Sequence, residues 1–456
     1  MLKIINPATE EVVEELPSDT PRSVAAKVTR ARNAQREWAR TPLDRRLDSI
    51  RKFGRLLADQ HARLEKTLTS EVGKPIAQSV NELKGMEPRV DFFLKNTRAV
   101  LAEEQVLEDD AQRLEEKITH EPLGVIANLS AWNYPYYVGS NVFLPALLAG
   151  NAVLYKPSEF ATLTGLAITK LLHKAEIPED VFIPVIGAGD TGAELAHQPV
   201  DGLFFTGSYA TGRKVAEAAA GRMIRIQMEL GGKDPVYVCD DVDVEVAAAA
   251  VADGAFYNTG QSCCAVERIY VHRRIYARFV ESFVQTVRNF ILGDPLDPTT
   301  YLGPVTRPTQ LKVLRRQVLD AESKGATTFR GGQRLPDRGF YFEPKVLTDC
   351  DHTMEVMREE SFGPVIGIQS VGGDAEAVAL MNDTEYGLTA GVYTPKRKRA
   401  EKILAEINAG TAYWNCCDRV SPRLPWSGRG HSGVGTTLST YGIQTFLQPK
   451  AWHLRG

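Results

Sequence analysis

The sequence predicts an α/β protein made of two α/β domains that face each other, and three observations lead to this prediction. The chain has 456 residues, which is enough for two or three domains with large buried cores. Short apolar runs alternate with helix-like segments from Pro122 to Lys233, which is the pattern of a mostly parallel sheet. A second stretch with the same alternation begins near Pro235.

The first 70 residues, which precede these stretches, predict amphipathic helices. Val24, Val28, Ala31 and Trp38 form one apolar stripe, and Pro21 near its start suits the first turn of a helix. A second stripe recurs at intervals of three, four or seven residues through Leu43, Leu47, Ile50, Leu57, Leu64 and Leu68. We interpret both stripes as helix faces that pack on a sheet.

Apolar runs separated by turn residues or helical segments predict the strands of both sheets. The first stretch has them at residues 125–127, 152–155, 181–186 and 203–205, with an alternating strand over 224–230. The second has them at residues 236–238, 268–271, 341–346, 365–369 and 391–393, with a helix over 242–255.

Composition and charge exclude several classes of protein. Lys and Arg number 54 against 57 Asp and Glu, so the basic excess of a nucleic-acid binder is missing. The longest apolar stretch, residues 142–150, is about half of a bilayer span, and the N-terminus lacks the apolar core of a signal peptide. Six cysteines without a Cys-x-x-Cys pair predict neither a disulfide scaffold nor a metal site. We therefore expect a cytoplasmic protein without metal, membrane or nucleic-acid partners.

Three segments at the ends of predicted strands have features of a nucleotide site. Residues 187–192 match G-x-G-x-x-G, but no acidic residue follows about twenty positions later, so we interpret Gly189 as part of a strand-to-helix turn. Small residues in 204–212 leave a helix N-terminus open to a phosphate. A Lys and a Glu three residues apart in 156–159 suit ribose hydroxyls. Taken singly, each segment is also compatible with an ordinary turn.

Three side chains have the chemistry of a catalytic site. Cys263 follows a glycine-containing turn, which can expose a thiol to a ligand. Glu229 ends the alternating strand before a double glycine, where a carboxylate can act as a general base. Asn133 offers an amide N–H to a developing oxyanion. An inert buried cysteine, a solvated strand face and a turn-forming asparagine are the respective alternatives.

The order of these segments is more specific than any one of them. Together they resemble the aldehyde dehydrogenase superfamily over nearly the whole chain. The matching segments are 229–233 (Glu-Leu-Gly-Gly-Lys), 260–263 (Gly-Gln-Ser-Cys), 360–365 (Glu-Ser-Phe-Gly-Pro-Val), 6–9 (Asn-Pro-Ala-Thr) and 432–435 (Ser-Gly-Val-Gly).

The resemblance implies two Rossmann-like α/β domains, one cofactor-binding and one catalytic, plus a small β oligomerisation element. The cofactor-binding domain is expected over 1–101 and 122–231, the catalytic domain over 232–431, and the oligomerisation element over 102–121 and 432–456. It also implies a homodimer or homotetramer, because a sheet shared between subunits would cover exposed strand edges.

The implied activity is the NAD(P)-dependent oxidation of an aldehyde to a carboxylic acid. Cys263 would be the nucleophile that forms first a thiohemiacetal and then a thioester. The Asn133 amide and the Cys263 backbone N–H would hold the oxyanion, and Glu229 would activate the water that hydrolyses the thioester. A CoA-acylating dehydrogenase is the first alternative, and Glu229 argues against it. A thiol esterase without redox chemistry and a non-catalytic protein on the same fold are the others.

The residues implied in cofactor binding are Trp132, Lys156, Ser158, Glu159, Gly189, Gly207, Ser208, Glu360 and Phe362. The Glu159 carboxylate would accept a hydrogen bond from the adenosine 2′-hydroxyl and would repel a 2′-phosphate. We therefore expect NAD as the cofactor, with NADP as the alternative.

The aldehyde tunnel implied by the resemblance contains aromatic and polar groups. Its residues are Tyr134, Val138, Asn141, Cys264, Asp418, Val420 and Trp426. Arg419 and Arg423 stand nearby and could pair with the distal carboxylate of a semialdehyde, with exposed loop arginines as the alternative. The chain departs from the family pattern at Ala131, Asp234, Ser427 and Thr436-Thr437, none of which is a reacting group.

Overall fold

The computed structural model describes residues 1–456 and contains four sheets with helices packed around them. The strands are β1 (Leu2–Ile5), β2 (Val12–Leu16), β3 (Glu104–Asp109), β4 (Leu114–Pro122), β5 (Val125–Leu129), β6 (Ala152–Lys156), β7 (Phe182–Pro184), β8 (Gly202–Thr206), β9 (Arg225–Glu229), β10 (Pro235–Val238), β11 (Arg268–His272), β12 (Thr327–Arg330), β13 (Lys345–Thr348), β14 (Val365–Val371), β15 (Thr389–Tyr393), β16 (Thr411–Trp414), β17 (Gly433–Val434) and β18 (Leu447–Arg455).

The α-helices are α1 (Pro21–Arg40), α2 (Leu43–Ala58), α3 (His61–Val72), α4 (Ile76–Lys84), α5 (Met86–Val100), α6 (Pro135–Leu148), α7 (Thr162–Lys174), α8 (Gly189–His197), α9 (Tyr209–Ala219), α10 (Val244–Phe256), α11 (Tyr276–Arg288), α12 (Pro308–Ser323), α13 (Asp374–Asn382), α14 (Arg397–Leu404) and α15 (Ser439–Gln444). Short 3₁₀ segments lie at Tyr257–Gly260, Glu355–Met357 and Gly430–Ser432. None of the helices is both long enough and apolar enough to cross a membrane.

The first large sheet has six strands in the order β17-β9-β8-β5-β6-β7, and only β17 runs antiparallel to its neighbour. Strands β5 and β6 are buried along their whole length because helices cover both faces, which explains their continuous apolar runs. The parallel strands place the residues that follow β5, β6, β8 and β9 at one edge of the sheet. This edge is where ligands bind in open α/β sheets.

The second large sheet has seven strands in the order β12-β13-β14-β11-β10-β15-β16, and only β12 is antiparallel. The loops that precede β11 and β14 carry Cys263 and Glu360, so both residues lie at the amino-terminal edge of this sheet. The two-domain α/β fold predicted from the sequence is confirmed, since both domains contain a mostly parallel sheet that matches solved structures.

A separate three-stranded sheet has the order β18-β4-β3 and extends from the two large domains. It contains residues 104–122 and 447–455, near the predicted oligomerisation element. The C-terminal boundary differs from the expected one at 432, because β17 pairs with β9 of the first sheet and α15 precedes the last strand.

Several predicted elements have different bounds in the structure. The stripe from Leu43 to Leu68 lies on two helices, α2 and α3, which a turn at Asp59–Gln60 separates. The strand expected over 341–346 begins only at Lys345. The sequence analysis did not predict β1, β2, β12 and β16. Strands β1 and β2 form a small separate sheet, β12 and β16 are the edges of the seven-stranded sheet, and none of the four has a buried apolar run.

Candidate active site

The turn before Cys263 is held in an unusual backbone conformation. Asn258, Thr259 and Gly260 have φ values of 54°, 57° and 72°, all in the left-handed region. The Asn258 amide stabilises this turn by donating to the carbonyls of Asn133 (3.2 Å) and Gln261 (3.0 Å). A Cβ at Gly260 would collide with the Gly363 carbonyl, so this position requires glycine.

The two adjacent cysteines differ in their surroundings. Cys264 is buried and its thiol donates to the Asp418 carboxylate (3.1 Å), which also accepts from the Ser262 hydroxyl (2.9 Å). The contact with Cys263 and burial raise the pKa of the Cys264 thiol. Cys263 is only half-buried. The description of an inert buried cysteine therefore fits Cys264, and Cys263 is the thiol that a ligand can reach.

Asn133 lies beside the Cys263 turn. Its amide Nδ2 donates to the Gln261 carbonyl (3.2 Å), two residues before Cys263. The side chain is buried, and its position follows from the loop after β5. The amide and the thiol therefore come from facing edges of the two large sheets.

Glu229 ends β9 and is buried, with 6% of its surface exposed, so it does not belong to a solvated strand face. Burial raises the pKa of Glu229 to about 7. Its Oε1 accepts hydrogen bonds from the Thr437 hydroxyl and from Nε2 of Gln227 (3.4 Å), and both bonds favour the ionised form. The carboxyl group is thus poised to gain or lose a proton near neutral pH.

Two cavities meet at these residues. The larger has a volume of about 560 Å³ and the smaller about 70 Å³. Cys263 and Glu229 are the two residues that line both of them. The structure therefore brings the predicted nucleophile and the predicted base to the junction between two separate spaces.

The smaller cavity contains part of the predicted cofactor site. Of the predicted residues it is lined by Trp132, Gly207, Ser208, Glu360 and Phe362. The rings of Trp132 and Phe362 make an edge-to-face contact with 5.5 Å between centroids. Ser208 is the N-cap of α9, so the backbone N–H groups of that helix begin at this cavity.

Glu360 lines this cavity and lies against the double glycine that follows Glu229. Its Oε1 accepts from the Gly232 backbone N–H (3.1 Å), and a Cβ at Gly231 would collide with its carboxyl group. Burial raises the pKa of Glu360 to about 8. Gly231 is therefore needed so that Glu360 can approach the backbone.

The other predicted cofactor residues lie around the end of β6, outside the lining of the smaller cavity. Lys156 is buried, which lowers its pKa, and its Nζ lies 4.0 Å from the Glu159 carboxylate. The Ser158 hydroxyl donates to that carboxylate (3.2 Å). Open space surrounds the Cα of Gly189 at the start of α8. These charged groups and this open helix start fit a dinucleotide that extends along the strand ends.

The larger cavity is lined by all the residues predicted for the aldehyde tunnel: Tyr134, Val138, Asn141, Cys264, Asp418, Val420 and Trp426. Arg419 and Arg423 line it too, but both are exposed, and Arg419 lies 3.8 Å from the Asp253 carboxylate.

Sequence reasoning missed the wall that α4 and α5 contribute to the larger cavity. Glu82 and Arg89 line it, and the Arg89 guanidinium lies over the Tyr137 ring at 3.6 Å. Arg307, at the start of α12, lines the smaller cavity and was missed as well. No sequence pattern distinguished these residues, because a few polar side chains on a helix are also common where the helix only packs against its neighbours. No cluster of three or more His, Cys, Asp or Glu side chains is placed to hold a metal ion.

Comparison with known proteins decides the family. The model of the aldehyde dehydrogenase family matches residues 1–452. The chain belongs to this family.

Curated relatives in the aldehyde dehydrogenase family match at about one third identity. A peroxisomal aminoaldehyde dehydrogenase 2 of Malus domestica is 33% identical and aligns with 98% of this chain and 91% of its own length. A chloroplastic betaine aldehyde dehydrogenase of Beta vulgaris is also 33% identical, with 98% and 92% covered.

Solved aldehyde dehydrogenase structures match the whole fold. Betaine aldehyde dehydrogenase from Staphylococcus aureus, in complex with NAD⁺, has a TM-score of 0.94 at 29% identity, with 99% of this chain and 90% of that chain covered. An E. coli NADP dependent enzyme has a TM-score of 0.96 at 28% identity, with 100% and 94% covered.

Proposed function

We propose that this aldehyde dehydrogenase oxidises an aldehyde to a carboxylic acid with a nicotinamide dinucleotide, using Cys263 and Glu229. The observation that carries the proposal is the shared position of these two residues at the junction of two cavities. The larger cavity would hold the aldehyde and the smaller would hold the nicotinamide end of the dinucleotide. The thiol would then reach the carbonyl carbon of an aldehyde in the larger cavity, since Cys263 lines both spaces.

Cys263 forms the first bond of the reaction. Its thiolate adds to the aldehyde carbon, and the carbonyl oxygen becomes the oxyanion of a thiohemiacetal. The Asn133 amide and the Cys263 backbone N–H donate to this oxygen, and donors placed before the charge develops stabilise the transition state. A dinucleotide held by the cofactor residues would supply the acceptor for the hydride of this carbon, and the acyl group would then remain on Cys263 as a thioester.

Glu229 acts in the second half of the reaction. Its carboxylate removes a proton from water, the water oxygen attacks the thioester carbon, and the carbon–sulfur bond breaks to release the acid. The proton held by Glu229 passes to the leaving sulfur, which restores the Cys263 thiol and the Glu229 carboxylate. Because burial raises the pKa of Glu229 to about 7, the group is a stronger base than an exposed glutamate and is still largely ionised above neutral pH.

The nicotinamide half and the diphosphate would be held by Trp132, Ser208, Glu360 and Phe362. The adenosine half would be held by Lys156, Ser158, Glu159 and Gly189. Glu159 supports NAD as the preferred cofactor, because its carboxylate would repel a 2′-phosphate. NADP is the alternative, and a measured tenfold preference for NADP in kcat/KM would reverse this assignment.

The test measures NADH formation with short aldehydes in the wild type, Cys263→Ser and Glu229→Gln. Cys263→Ser is expected to abolish most turnover, and Glu229→Gln to give a burst of NADH followed by slow thioester release. Product analysis with and without coenzyme A separates hydrolysis from acyl transfer. Equal steady-state rates in the wild type and Glu229→Gln, or an acyl-CoA product, would contradict the proposal.

For the substrate we propose a small aldehyde with a cationic amino group at its far end. The larger cavity contains the Asp418 carboxylate together with the rings of Tyr257 and Trp426, and carboxylates and aromatic faces both attract ammonium groups. Two relatives with these substrates in their names, an aminoaldehyde and a betaine aldehyde dehydrogenase, support the same class.

A semialdehyde is the second candidate, because Arg419 and Arg423 line the same cavity. A panel of 3-aminopropanal, succinic semialdehyde and uncharged propanal distinguishes the two. Asp418→Asn should lower kcat/KM about tenfold for 3-aminopropanal alone, since a bond to a charged group is lost. A loss for succinic semialdehyde alone in Arg419→Ala and Arg423→Ala would favour the semialdehyde.

We further propose that the chain forms a homodimer or homotetramer through the three-stranded sheet. Both edge strands of this sheet, β3 and β18, have a free edge, and Val106, Leu107 and Leu454 are exposed on them. Light scattering of the purified protein tests this assembly, and a monomer at micromolar concentration would contradict it. A cytoplasmic location stays a prediction.

A further inference from the structure

Arg307 carries a buried donor that no other group of the protein satisfies. It immediately precedes α12 and lines the smaller cavity beside Trp132 and Glu360. Its Nε is buried and has no hydrogen-bond partner, although a buried donor normally finds one. Its Nη2 donates to Oε1 of Gln310 (2.8 Å), which holds the guanidinium in one orientation.

The guanidinium of Arg307 lies near enough to two carboxylates of the proposed dinucleotide site to feel both charges, and it lines the smaller cavity together with one of them, Glu360. Glu360 and Glu159 both attract the guanidinium electrostatically, while burial lowers its pKa. An arginine stays charged in spite of such burial. The guanidinium carbon lies 5.7 Å from the centroid of the Trp132 ring, which fixes the group on the cavity wall.

The position of these carboxylates indicates which part of a dinucleotide would reach Arg307. In the proposed function, Glu159 holds the adenosine half of the dinucleotide, and we assign Glu360 to the ribose of the nicotinamide half. The diphosphate is the group that joins the two riboses, so it would pass between these carboxylates. A guanidinium fork with a free N–H matches two phosphate oxygens, and the desolvated site strengthens the attraction.

We propose that Arg307 binds the diphosphate of the nicotinamide dinucleotide and is a cofactor-binding residue of this enzyme. The inference rests on the proposed function, since it needs the smaller cavity to hold the dinucleotide. It predicts that a phosphate oxygen accepts the hydrogen bond of Nε, which has no partner within the protein.

The test is direct binding of the cofactor, measured by calorimetry and by quenching of protein fluorescence. NAD⁺, NADP⁺ and ADP-ribose are titrated into the full-length wild type, Arg307→Gln and Arg307→Lys. Arg315→Gln is the matched control, because Arg315 is an exposed arginine on the same helix, α12. Arg307→Gln is expected to weaken all three ligands about tenfold or more, as a charge-assisted bond is lost, and Arg307→Lys to weaken them less.

Adenosine provides the second control, because it lacks phosphates and should bind the wild type and Arg307→Gln equally. Raised salt should weaken NAD⁺ binding more in the wild type than in Arg307→Gln, because only the wild type keeps this ionic contact. Thermal unfolding of the variants checks that they are folded.

Each remaining outcome decides a different question. Unchanged affinity for NAD⁺ and ADP-ribose in Arg307→Gln would overturn the inference. A loss of affinity for NADP⁺ alone would overturn it too and would show that Arg307 contacts the 2′-phosphate instead of the diphosphate. A wild type that binds no dinucleotide would instead contradict the proposed function. Wild-type binding without aldehyde oxidation would leave the diphosphate contact intact and reject only the proposed chemistry.

Discussion

The hydroxyl of Thr437 donates a hydrogen bond to Oε1 of Glu229, and both side chains are buried. The two residues are 208 positions apart in the chain. The loop after β17 brings them together, because Gly433 of that strand pairs with Glu229 at the end of β9. Thr437 is therefore a positioning residue for the proposed base, since it touches Glu229 rather than the reacting atoms.

Thr437→Val is expected to move the pH dependence of acyl release upwards by about one unit. The lost hydrogen bond favours the ionised carboxylate, so its removal raises the pKa of Glu229 above about 7. Because the base must be deprotonated to act, steady-state turnover would need a higher pH, while the NADH burst would keep its own pH profile.

The pH profiles of burst and steady-state rates measure this effect, and Thr436→Val is the matched control on the neighbouring residue. If the pH dependence of steady-state turnover did not change in Thr437→Val, the Thr437 hydroxyl would not control the pKa of Glu229. A Thr437→Ser variant, which keeps the hydroxyl, should restore the original profile.

Asn133→Ala is expected to slow acylation by about 10²- to 10³-fold, the usual loss when one oxyanion donor is removed. Its amide lies beside the Cys263 turn, where it donates to the Gln261 carbonyl. Stopped-flow measurement of the NADH burst reports this step. Asn133→Asp has nearly the same shape but lacks the N–H donors, so a burst that survives in Asn133→Asp would remove the oxyanion role.

Glu159→Gln is expected to raise kcat/KM for NADP relative to NAD about tenfold, because a carboxylate that repels a 2′-phosphate is replaced by a neutral amide. The Glu159 carboxylate accepts from the Ser158 hydroxyl, which an amide oxygen can also do, so the loop should keep its shape. Steady-state kinetics with both cofactors measure the ratio. An unchanged ratio would mean that Glu159 turns away from the ribose.

Lys74→Met is expected to destabilise the protein by about 3–5 kcal/mol, because it leaves the Glu82 carboxylate buried without its partner. Lys74 and Glu82 form an ion pair in which both side chains are fully buried. Glu82 also accepts from the Tyr136 backbone N–H at the start of α6, and the Lys74 ammonium lies over the Tyr134 ring at 3.7 Å.

Chemical denaturation of Lys74→Met measures this destabilisation. The double variant Lys74→Met/Glu82→Gln should recover much of the lost free energy of unfolding, because no unpaired charge remains. If the single and the double variant were equally unstable, packing rather than the buried charge would explain the effect.

The sequence predicted the central strands of both sheets well, because a strand that is buried on both faces must be apolar along its length. Strands β5, β6 and β10 are such strands. It did not predict β2 or β12, whose side chains are mostly exposed or half-buried and therefore lack an apolar run. The helix stripe from Leu43 to Leu68 was continuous in sequence although a turn divides it, since both helices pack the same side inward.

The sequence by itself determined the chemistry of this protein: a thiol, a carboxylate and an amide, each placed at a turn or a strand end where local residue patterns can identify it. It also determined the family, through short motifs whose order is specific. Only the tertiary structure decided how these groups are surrounded. Arg307 and Glu82 reach the cavities from distant segments, and Thr437 reaches Glu229 in the same way. Their partners and their burial depend on contacts that no local sequence pattern records.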